Sequence, residues 1–247
     1  MVNTIHLSPV QILLNLWLER AVPQDKLNWL TNKTVELAEN PSDFLLFTSF
    51  SSVPRYIGKA KLELSKRDLA VANEICPGWV PSNWTIDQVG RTLLLLALST
   101  KDSDRYYSWV EKLSWAADVN EQIALYQSLA LLSFPERFKL RAAEGVRSNM
   151  TSVFNAIALN NPYPARYLDE SAWNQMVLKA LFVESPLKSI YGLEKRNNPQ
   201  LAQMLLDYAN ERLAAGRGVS SELWELAQVF QPQVTDSLAA EFQALSI

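Results

Sequence analysis

Charged and amide side chains recur in the middle of the chain at spacings that bring them together on helices and turns. Arg141, Glu144 and Arg147 follow one another at intervals of three residues, which places them near one face of a helix. Cationic side chains attract an anion and amides hydrogen-bond it. One interpretation is a pocket for an anionic ligand, built by Arg141, Glu144, Arg147, Asn149, Asn160, Asn161, Tyr163, Asn174, Gln175 and Lys179.

The same side chains also have ordinary structural roles. Arg141 could pair with a glutamate one turn along its helix, and Asn149 could cap the helix that follows it. Asn174 could satisfy amides in the first turn of its helix, while Gln175 and Lys179 could form that helix's solvated face. Buried amides usually have structural partners of this kind, so we favour this interpretation and keep the pocket as the alternative.

The residues that most enzymes need for chemistry are scarce. The chain has one histidine, His6, and one cysteine, Cys76. A Ser-His-Asp or Cys-His nucleophile would have to recruit that terminal histidine, and a zinc site needs more ligands than these two. The seven glycines do not cluster as a phosphate-binding loop requires, and no aspartate-rich helical motif for magnesium is present. We therefore expect no cofactor and no metal.

Charge is unevenly distributed, although the net charge is only −3. Residues 1–136 carry 12 basic and 15 acidic side chains, residues 137–217 carry 11 and 7, and residues 218–247 carry none and 4. The positive excess in the middle is compatible with an anionic ligand. It is interleaved with acids, however, unlike the basic stripe of a nucleic-acid-binding protein. We expect no nucleic-acid partner.

The apolar runs are too short for a membrane protein. The longest, Leu93–Leu98, falls far below the roughly 20 residues that span a bilayer, and no secretory signal is visible. The single cysteine fits a reducing compartment. We expect a cytoplasmic protein with no transmembrane segment, peripheral to the inner membrane only through a partner.

The elements that would position these side chains are helices. Glycine is scarce, with seven in 247 residues, and capping boxes are encoded by Ser8-Pro9-Val10-Gln11 and Thr85-Ile86-Asp87-Gln88. Short connections make successive helices nearly antiparallel. We predict an all-α fold, arranged as an array of antiparallel helical hairpins, an α-α superhelix or an orthogonal multi-helix bundle.

One segment, Ser171–Val183, is apolar in nearly every direction around a helix, so the rest of the protein should cover it. Phe154–Leu159 has the same character, and we predict that these two helices form the centre of the fold. Between them and the C-terminal part, Leu187–Asn197 is expected to be a short or irregular turn.

The prolines and the glycine of Cys76-Pro77-Gly78-Trp79-Val80-Pro81 interrupt the helical pattern. We predict one domain over residues 1–230 with a candidate lobe boundary near residues 76–84. A C-terminal amphipathic helix or tail follows over residues 231–247, in which Val234, Leu238, Phe242 and Leu245 form a narrow apolar stripe.

Several runs resemble the EboA family. The specific ones are Arg141–Thr151, Asn161–Pro164, Ala172–Val183 and Asn198–Ala209. Weaker similarity extends through Val53–Gly58, Pro77–Trp79 and Ala116–Asp118, so the resemblance covers most of the chain up to about Phe230.

The resemblance implies a bacterial, often cyanobacterial, protein encoded in the ebo gene cluster. That cluster also encodes a UbiA-like membrane prenyltransferase and sugar-type metabolic enzymes, and it is associated with export of the scytonemin precursor. The partners implied are other proteins of the cluster and an amphiphilic small molecule. The resemblance implies no catalytic residues.

Two functions follow, and they belong to different classes. We favour a non-enzymatic helical scaffold or carrier that binds pathway proteins or an amphiphilic intermediate, in part because Trp79 and Trp84 read as exposed. The alternative is a cofactor-free enzyme or binding protein that acts on a prenylated or sugar-like anion. In it, Glu144 or Tyr163 would transfer protons while Arg141, Arg147 and Lys179 stabilise charge.

Overall fold

The computed structural model describes residues 7–245, and the side chains of residues 7–240. His6 therefore lies outside the described residues, as do the side chains of Phe242 and Leu245. The described part forms fifteen α-helices, three short 3-10 helices and no strand, which confirms the all-α class. The finer arrangement as hairpins, superhelix or orthogonal bundle stays a prediction.

The chain divides into two compact units, the first ending at Tyr167 and the second beginning at Leu168. The first unit contains α1 (Pro9–Ala21), α2 (Gln24–Glu39), α3 (Asp43–Tyr56), α4 (Lys66–Ile75), α5 (Ile86–Ala97), α6 (Ser103–Ala116), α7 (Val119–Ser128), α8 (Lys139–Arg147), α9 (Thr151–Ala158) and α10 (Tyr163–Tyr167). The second contains α11 (Glu170–Phe182), α12 (Leu193–Arg196), α13 (Pro199–Ala214), α14 (Ser221–Gln228) and α15 (Pro232–Leu245). The 3-10 helices are Leu129–Leu131, Pro135–Phe138 and Leu187–Ser189.

Several helices begin at residues whose side chains accept the free N–H groups of the first turn. The capping box predicted at the first helix is present, because the Ser8 hydroxyl accepts the Gln11 N–H and the Gln11 side chain accepts the Ser8 N–H. Asp118 and Glu121 form a second box at the start of α7. Caps of this kind define where these helices start.

The first unit is built around α5. Nine of the twelve residues of α5 are buried, and α1, α2, α3 and α7 all pack against it. This corrects the prediction that the helices of Phe154–Leu159 and Ser171–Val183 together form the centre of the fold. The apolar segment 171–183 belongs to the second unit, and its residue Phe182 is 59% exposed.

A buried ion pair lies inside this helix packing. Arg91 Nη1 donates to Asp87 Oδ2 at 2.7 Å, one turn away on α5, and both side chains are more than 90% buried. Arg91 Nε also donates to the Phe50 carbonyl of α3 at 3.2 Å, and Thr85 Oγ1 donates to Asp87 Oδ1. Both charges are thus paired and hydrogen-bonded, which burial in a low-dielectric core requires.

The candidate lobe boundary near residues 76–84 lies inside the first unit. Trp79 and Trp84 in this connector are 1% and 4% exposed, so the prediction that they face solvent is wrong. Their rings lie 5.6 Å apart, and the Trp79 ring lies 5.6 Å from that of Trp17 on α1. The connector is a core segment, held by a cluster of three indoles.

In the second unit, α11 packs against α13, and α13 packs against α14 and α15. The C-terminal helix α15 thus contacts its own unit, with Leu238 buried and Val234 exposed. None of the helices between residues 7 and 245 is both long and apolar enough to cross a bilayer.

Asp68 ties α4 to α1. Its carboxylate accepts hydrogen bonds from Arg20 at 2.7 Å, from the Trp17 indole at 3.1 Å and from the N–H and hydroxyl of Ser65. The hydrogen bond from Arg20, followed by those from Ser65, holds the pKa of Asp68 well below its ordinary value, while partial burial opposes them.

Asp68→Asn is expected to lower the free energy of unfolding by about 1–2 kcal/mol at pH 7, because the amide cannot accept all of these bonds. A depressed carboxyl pKa stabilises the fold above the unfolded-state pKa of about 3.9, and this stabilisation is lost as pH falls toward the folded-state value. Urea unfolding at several pH values should therefore show a constant difference from pH 7 to about 5 and a shrinking one below about pH 4.

Asp25→Asn is the matched control, since Asp25 also lies in the first helical turn, that of α2, and makes no hydrogen bond among those found in the described part of the chain. It should change the free energy of unfolding by less than about 0.5 kcal/mol. Equal effects of the two substitutions, or a difference in the free energy of unfolding that does not shrink between pH 5 and pH 2, would contradict the role assigned to Asp68.

Candidate functional site

The predicted ligand residues are divided between the two units. Those from Arg141 to Tyr163 lie in the first unit, whereas Asn174, Gln175 and Lys179 lie in the second. None of the ten candidate residues lines the cleft described below, and their convergence on one pocket stays a prediction.

Arg141 clamps two helices of the first unit. The residue is 8% exposed, and its guanidinium forms a bidentate pair with Glu111 of α6, with Nη2–Oε2 and Nε–Oε1 distances of 2.6 and 3.1 Å. The guanidinium also lies 4.9 Å from the Trp115 ring centroid. The predicted partner of Arg141, Glu144, is therefore replaced by a residue 30 positions earlier in the chain.

Glu144 and Arg147 pair with each other instead. Their atoms Oε1 and Nη2 lie 2.6 Å apart, and both side chains are more than half exposed. Asn149 is exposed in the bend that follows. It does not cap α9, because α9 has no side-chain cap and the Ser148 hydroxyl accepts the Met150 N–H.

Tyr163 is buried, and its hydroxyl donates to the Pro135 carbonyl at 2.6 Å. Burial, together with Tyr167 and Glu136, raises the pKa of Tyr163 above its ordinary value. The phenol therefore keeps its proton at neutral pH and uses it in a structural hydrogen bond. This geometry does not support Tyr163 as a proton-transfer group.

The predicted ligand residues of the second unit also lie in ordinary structural surroundings. Asn174 exchanges side-chain hydrogen bonds with Asn198, with N–O distances of 3.2 and 2.9 Å, and Asn198 caps α13 by accepting the Leu201 N–H. Gln175 is exposed on α11. Burial lowers the pKa of the half-buried Lys179.

The second unit contains a cleft with a volume of about 740 Å³. This lies within the roughly 300–1,000 Å³ typical of small-molecule sites. One wall is the segment Leu187–Asn197, and the other is α14 with the two residues that follow it. We call this feature the 187–230 cleft; it is lined by Leu187, Lys188, Ile190, Tyr191, Gly192, Leu193, Glu194, Lys195, Asn197, Glu222, Glu225, Leu226, Val229 and Phe230.

The two walls are joined by hydrogen bonds at both ends. The Glu222 carboxylate accepts the N–H groups of Leu187 and Lys188 at 3.1 and 3.2 Å, and the Asn197 amide donates to the Leu226 carbonyl at 2.8 Å. Glu222 and Leu226 are one turn apart on α14, so a single helix face holds the irregular wall in place.

Gly192 lets that irregular wall turn between its 3-10 helix and α12. Its φ of 79° lies in the left-handed region, where a side chain is strained. The turn places Ile190 and Leu193 on the lining of the cleft. Without such a turn, the short helices on either side of Gly192 could not face the same helix α14.

The lining of the cleft is apolar at its base and charged around it. Leu187, Ile190 and Leu226 are buried, whereas Val229 is 67% exposed and Phe230 is 40% exposed. The lining carries two lysines and three glutamates, a formal balance of −1. Such a surface can bury the apolar part of a ligand and leave its polar part near charges of either sign.

One buried acceptor in the cleft has no partner. The Asn197 side-chain oxygen is shielded from solvent and accepts no hydrogen bond from any described residue, while the nitrogen of the same amide is engaged. Because this oxygen is closed to solvent, the role that the structure shows for the amide is the bond from its nitrogen to the Leu226 carbonyl.

The cleft holds no arrangement of residues typical of catalysis. Both Glu222 oxygens accept backbone N–H groups, and among residues 7–240 no group of three or more His, Cys, Asp or Glu side chains gathers as metal ligands would. The residues of the cleft were missed in the sequence because 187–197 has no helical periodicity. The signal present was the group of apolar residues Leu187, Ile190, Tyr191 and Leu193 in this segment.

Comparison with known protein families gives a match over most of the chain. The family model described as "Metabolite traffic protein EboA" matches residues 10–228. No curated protein and no solved structure matches the chain. The matched region contains twelve of the fourteen cleft residues, all except Val229 and Phe230.

The burial of the Arg141 pair predicts its energetic role. Glu111→Gln is expected to lower the free energy of unfolding by about 2–3 kcal/mol, because a buried guanidinium then loses its charged partner. Denaturant unfolding monitored by circular dichroism measures this change.

Glu144→Gln is the matched control, since it removes an equally short but exposed arginine pair. It should change the free energy of unfolding by less than about 0.5 kcal/mol. If the two substitutions have the same effect, Arg141 is not the structural clamp described above, and the prediction that it binds a ligand gains support.

Proposed function

We propose that this chain, which belongs to the EboA family, carries an amphiphilic small molecule in the 187–230 cleft and does not alter it chemically. The family description, a metabolite traffic protein, fits a carrier role. The observation that supports the proposal most is the cleft itself, a ligand-sized cavity with an apolar base and charged surroundings.

The apolar part of the ligand would lie against Ile190, Leu226 and Val229. Removing such a group from water stabilises the complex by roughly 25 cal/mol for each Å² of apolar surface buried.

A charged end of the ligand would lie beside Lys188 or Lys195. These exposed lysines contribute more to orientation and rate of capture than to affinity, because solvent screens them. The same cleft therefore accepts molecules whose apolar parts are similar and whose head groups differ, as a carrier for a pathway intermediate requires.

Release is as necessary for a carrier as binding. Val229 and Phe230 remain exposed at the edge of the cleft, so a ligand can enter and leave without opening the packed core. A fully enclosed cavity would bind more tightly, but it would need a conformational step for each exchange.

The family resemblance supports a more specific proposal about the pathway. The ligand would be a prenylated or similarly amphiphilic intermediate of a specialised metabolite, as in export of the scytonemin precursor. It would be received from other proteins of the gene cluster, including a UbiA-like membrane prenyltransferase. The chain would then work in the cytoplasm and reach the membrane surface through that partner.

Binding can be tested with farnesyl phosphate displacing the fluorescent amphiphile 1-anilinonaphthalene-8-sulfonate. Val229→Asp places a carboxylate in the apolar wall at a position 67% exposed, where folding tolerates it. We expect the affinity for both probes to fall at least about tenfold, or ~1.4 kcal/mol, because an apolar group cannot pack beside a charge without desolvating it.

Val234→Asp is the matched control, since Val234 is also exposed and does not line the cleft. It should leave both affinities unchanged. The proposal fails if wild-type protein binds neither probe, or if the two variants bind the probes as the wild type does.

A further inference from the structure

The three most exposed large apolar side chains of the described part lie on neighbouring turns of the first unit. They are Phe44 in the first turn of α3, Trp115 in the last turn of α6 and Leu140 in the first turn of α8, each between 76% and 80% exposed. Single exposed apolar residues are common on protein surfaces, whereas a contiguous group indicates a binding surface. We call these three residues the apolar patch.

Trp115 and Leu140 are held side by side by Arg141. The Arg141 guanidinium lies 4.9 Å from the centre of the Trp115 ring. It also forms a 2.6 Å ion pair with Glu111, which is one helical turn before Trp115. Because Leu140 directly precedes Arg141 in the chain, the first turn of α8 lies against the last turn of α6.

Phe44 lies on the other side of Trp115. Its neighbour in the chain, Asp43, forms a 2.8 Å ion pair with Lys112, and α3 packs against α6. Glu111 and Lys112 are consecutive residues, so they point about 100° apart around α6. Trp115 is three residues after one and four after the other, so it projects between them. The patch is therefore contiguous, with its tryptophan in the middle.

The patch is large enough to form the apolar centre of a protein interface. A buried aromatic side chain covers roughly 150–250 Å², so three large side chains that are mostly exposed offer on the order of 400 Å² of apolar surface. A standard interface buries roughly 800 Å² on each partner, and somewhat more than half of this area is apolar. The two apolar areas agree. Tryptophan is also among the residue types enriched at the energetic centre of interfaces.

The charges around the patch are almost balanced within the chain. Three of the four cations on these turns are paired with acids: Lys112 with Asp43, Arg141 with Glu111 and Arg147 with Glu144. The fourth, Lys139, is exposed and makes no ion pair among the described residues. Anionic membranes and nucleic acids attract clusters of unpaired cations, so this rim favours neither. A partner with a similarly neutral rim meets no strong repulsion.

We infer that two copies of this chain pair through the apolar patch and form a symmetric dimer. The partner surface must offer a similar apolar area and a rim with little net charge, and the patch itself meets both requirements. In a two-fold interface each copy presents the same residues, so Trp115 and Leu140 of one copy pack against the patch of the other. The dimer goes beyond the proposed carrier function, because the patch lies in the first unit and the 187–230 cleft lies in the second.

Leu140→Glu tests the dimer in the full chain. Leu140 is exposed, so the substitution costs the folded monomer little, whereas in the dimer it buries a carboxylate in an apolar contact. At about 50 µM, light scattering after size exclusion should give the wild type about twice the chain mass of 27.9 kDa. Sedimentation over a range of concentrations should show that Leu140→Glu raises the dimer dissociation constant at least about tenfold.

Leu16→Glu is the matched control, since Leu16 is another exposed leucine of the first unit and lies on α1, outside the patch. It should dimerise as the wild type does. Hydrogen–deuterium exchange of the wild type locates the interface without any substitution. Dilution from dimer to monomer should speed exchange in the first turns of α3 and α8 and in the last turn of α6.

The inference is overturned if the wild type stays a monomer up to about 200 µM, if Leu140→Glu and Leu16→Glu dimerise equally well, or if the protected amides lie outside these three turns. A monomer that sediments with phosphatidylglycerol vesicles would also overturn it and would assign the patch to a lipid surface. Val229→Asp should dimerise normally, and Leu140→Glu should bind farnesyl phosphate normally. Failure of the dimer is therefore distinguishable from failure of the carrier function.

Discussion

The enclosure of α5 is the constraint on which the first unit depends. A helix with nine buried residues out of twelve needs covering helices on all sides, and two of its buried residues are charged. The Asp87–Arg91 pair is tolerated because each charge meets the other and also a neighbouring oxygen or hydroxyl. A buried pair of this kind contributes little net stability, but loss of one partner would leave an uncompensated charge in the core. The position of α3 is tied to the same pair through the Phe50 carbonyl.

Features encoded over a few residues could be predicted from the sequence. The all-α class and the capping box at Ser8 and Gln11 follow from local composition and hydrogen bonding. The central helix could not be identified this way. Two charged residues, Asp87 and Arg91, lie in α5, and charged residues usually indicate a solvent-exposed helix face. The segment 171–183 has apolar side chains in nearly every direction, which predicts burial, although Phe182 is exposed. Apolar periodicity does not reveal that two charges will neutralise each other inside a core.

The candidate sites also combine features that the local sequence predicts with features that depend on tertiary contacts. Asn160 and Asn161 were named among the residues of the predicted pocket. In the structure the Asn160 carbonyl accepts the Val80 N–H, and the Asn161 amide donates to the Tyr126 and Ala156 carbonyls. The partner of Arg141 lies 30 residues away on another helix, beyond the reach of any i, i+3 rule. The 187–230 cleft was missed because one of its walls is an irregular segment, shaped by Gly192 and by two side chains of other elements, Glu222 and Asn197. Tertiary contacts of this kind have no signature in local sequence.

The central functional claim is that the chain holds an amphiphilic metabolite in the 187–230 cleft. It is tested most directly by mass spectrometry of small molecules retained on protein purified from its native host, with wild type and Val229→Asp prepared side by side. We predict one amphiphilic molecule that is abundant on the wild type and depleted at least about tenfold on the variant. Equal amounts on both proteins, or no retained molecule on the wild type, would contradict the claim.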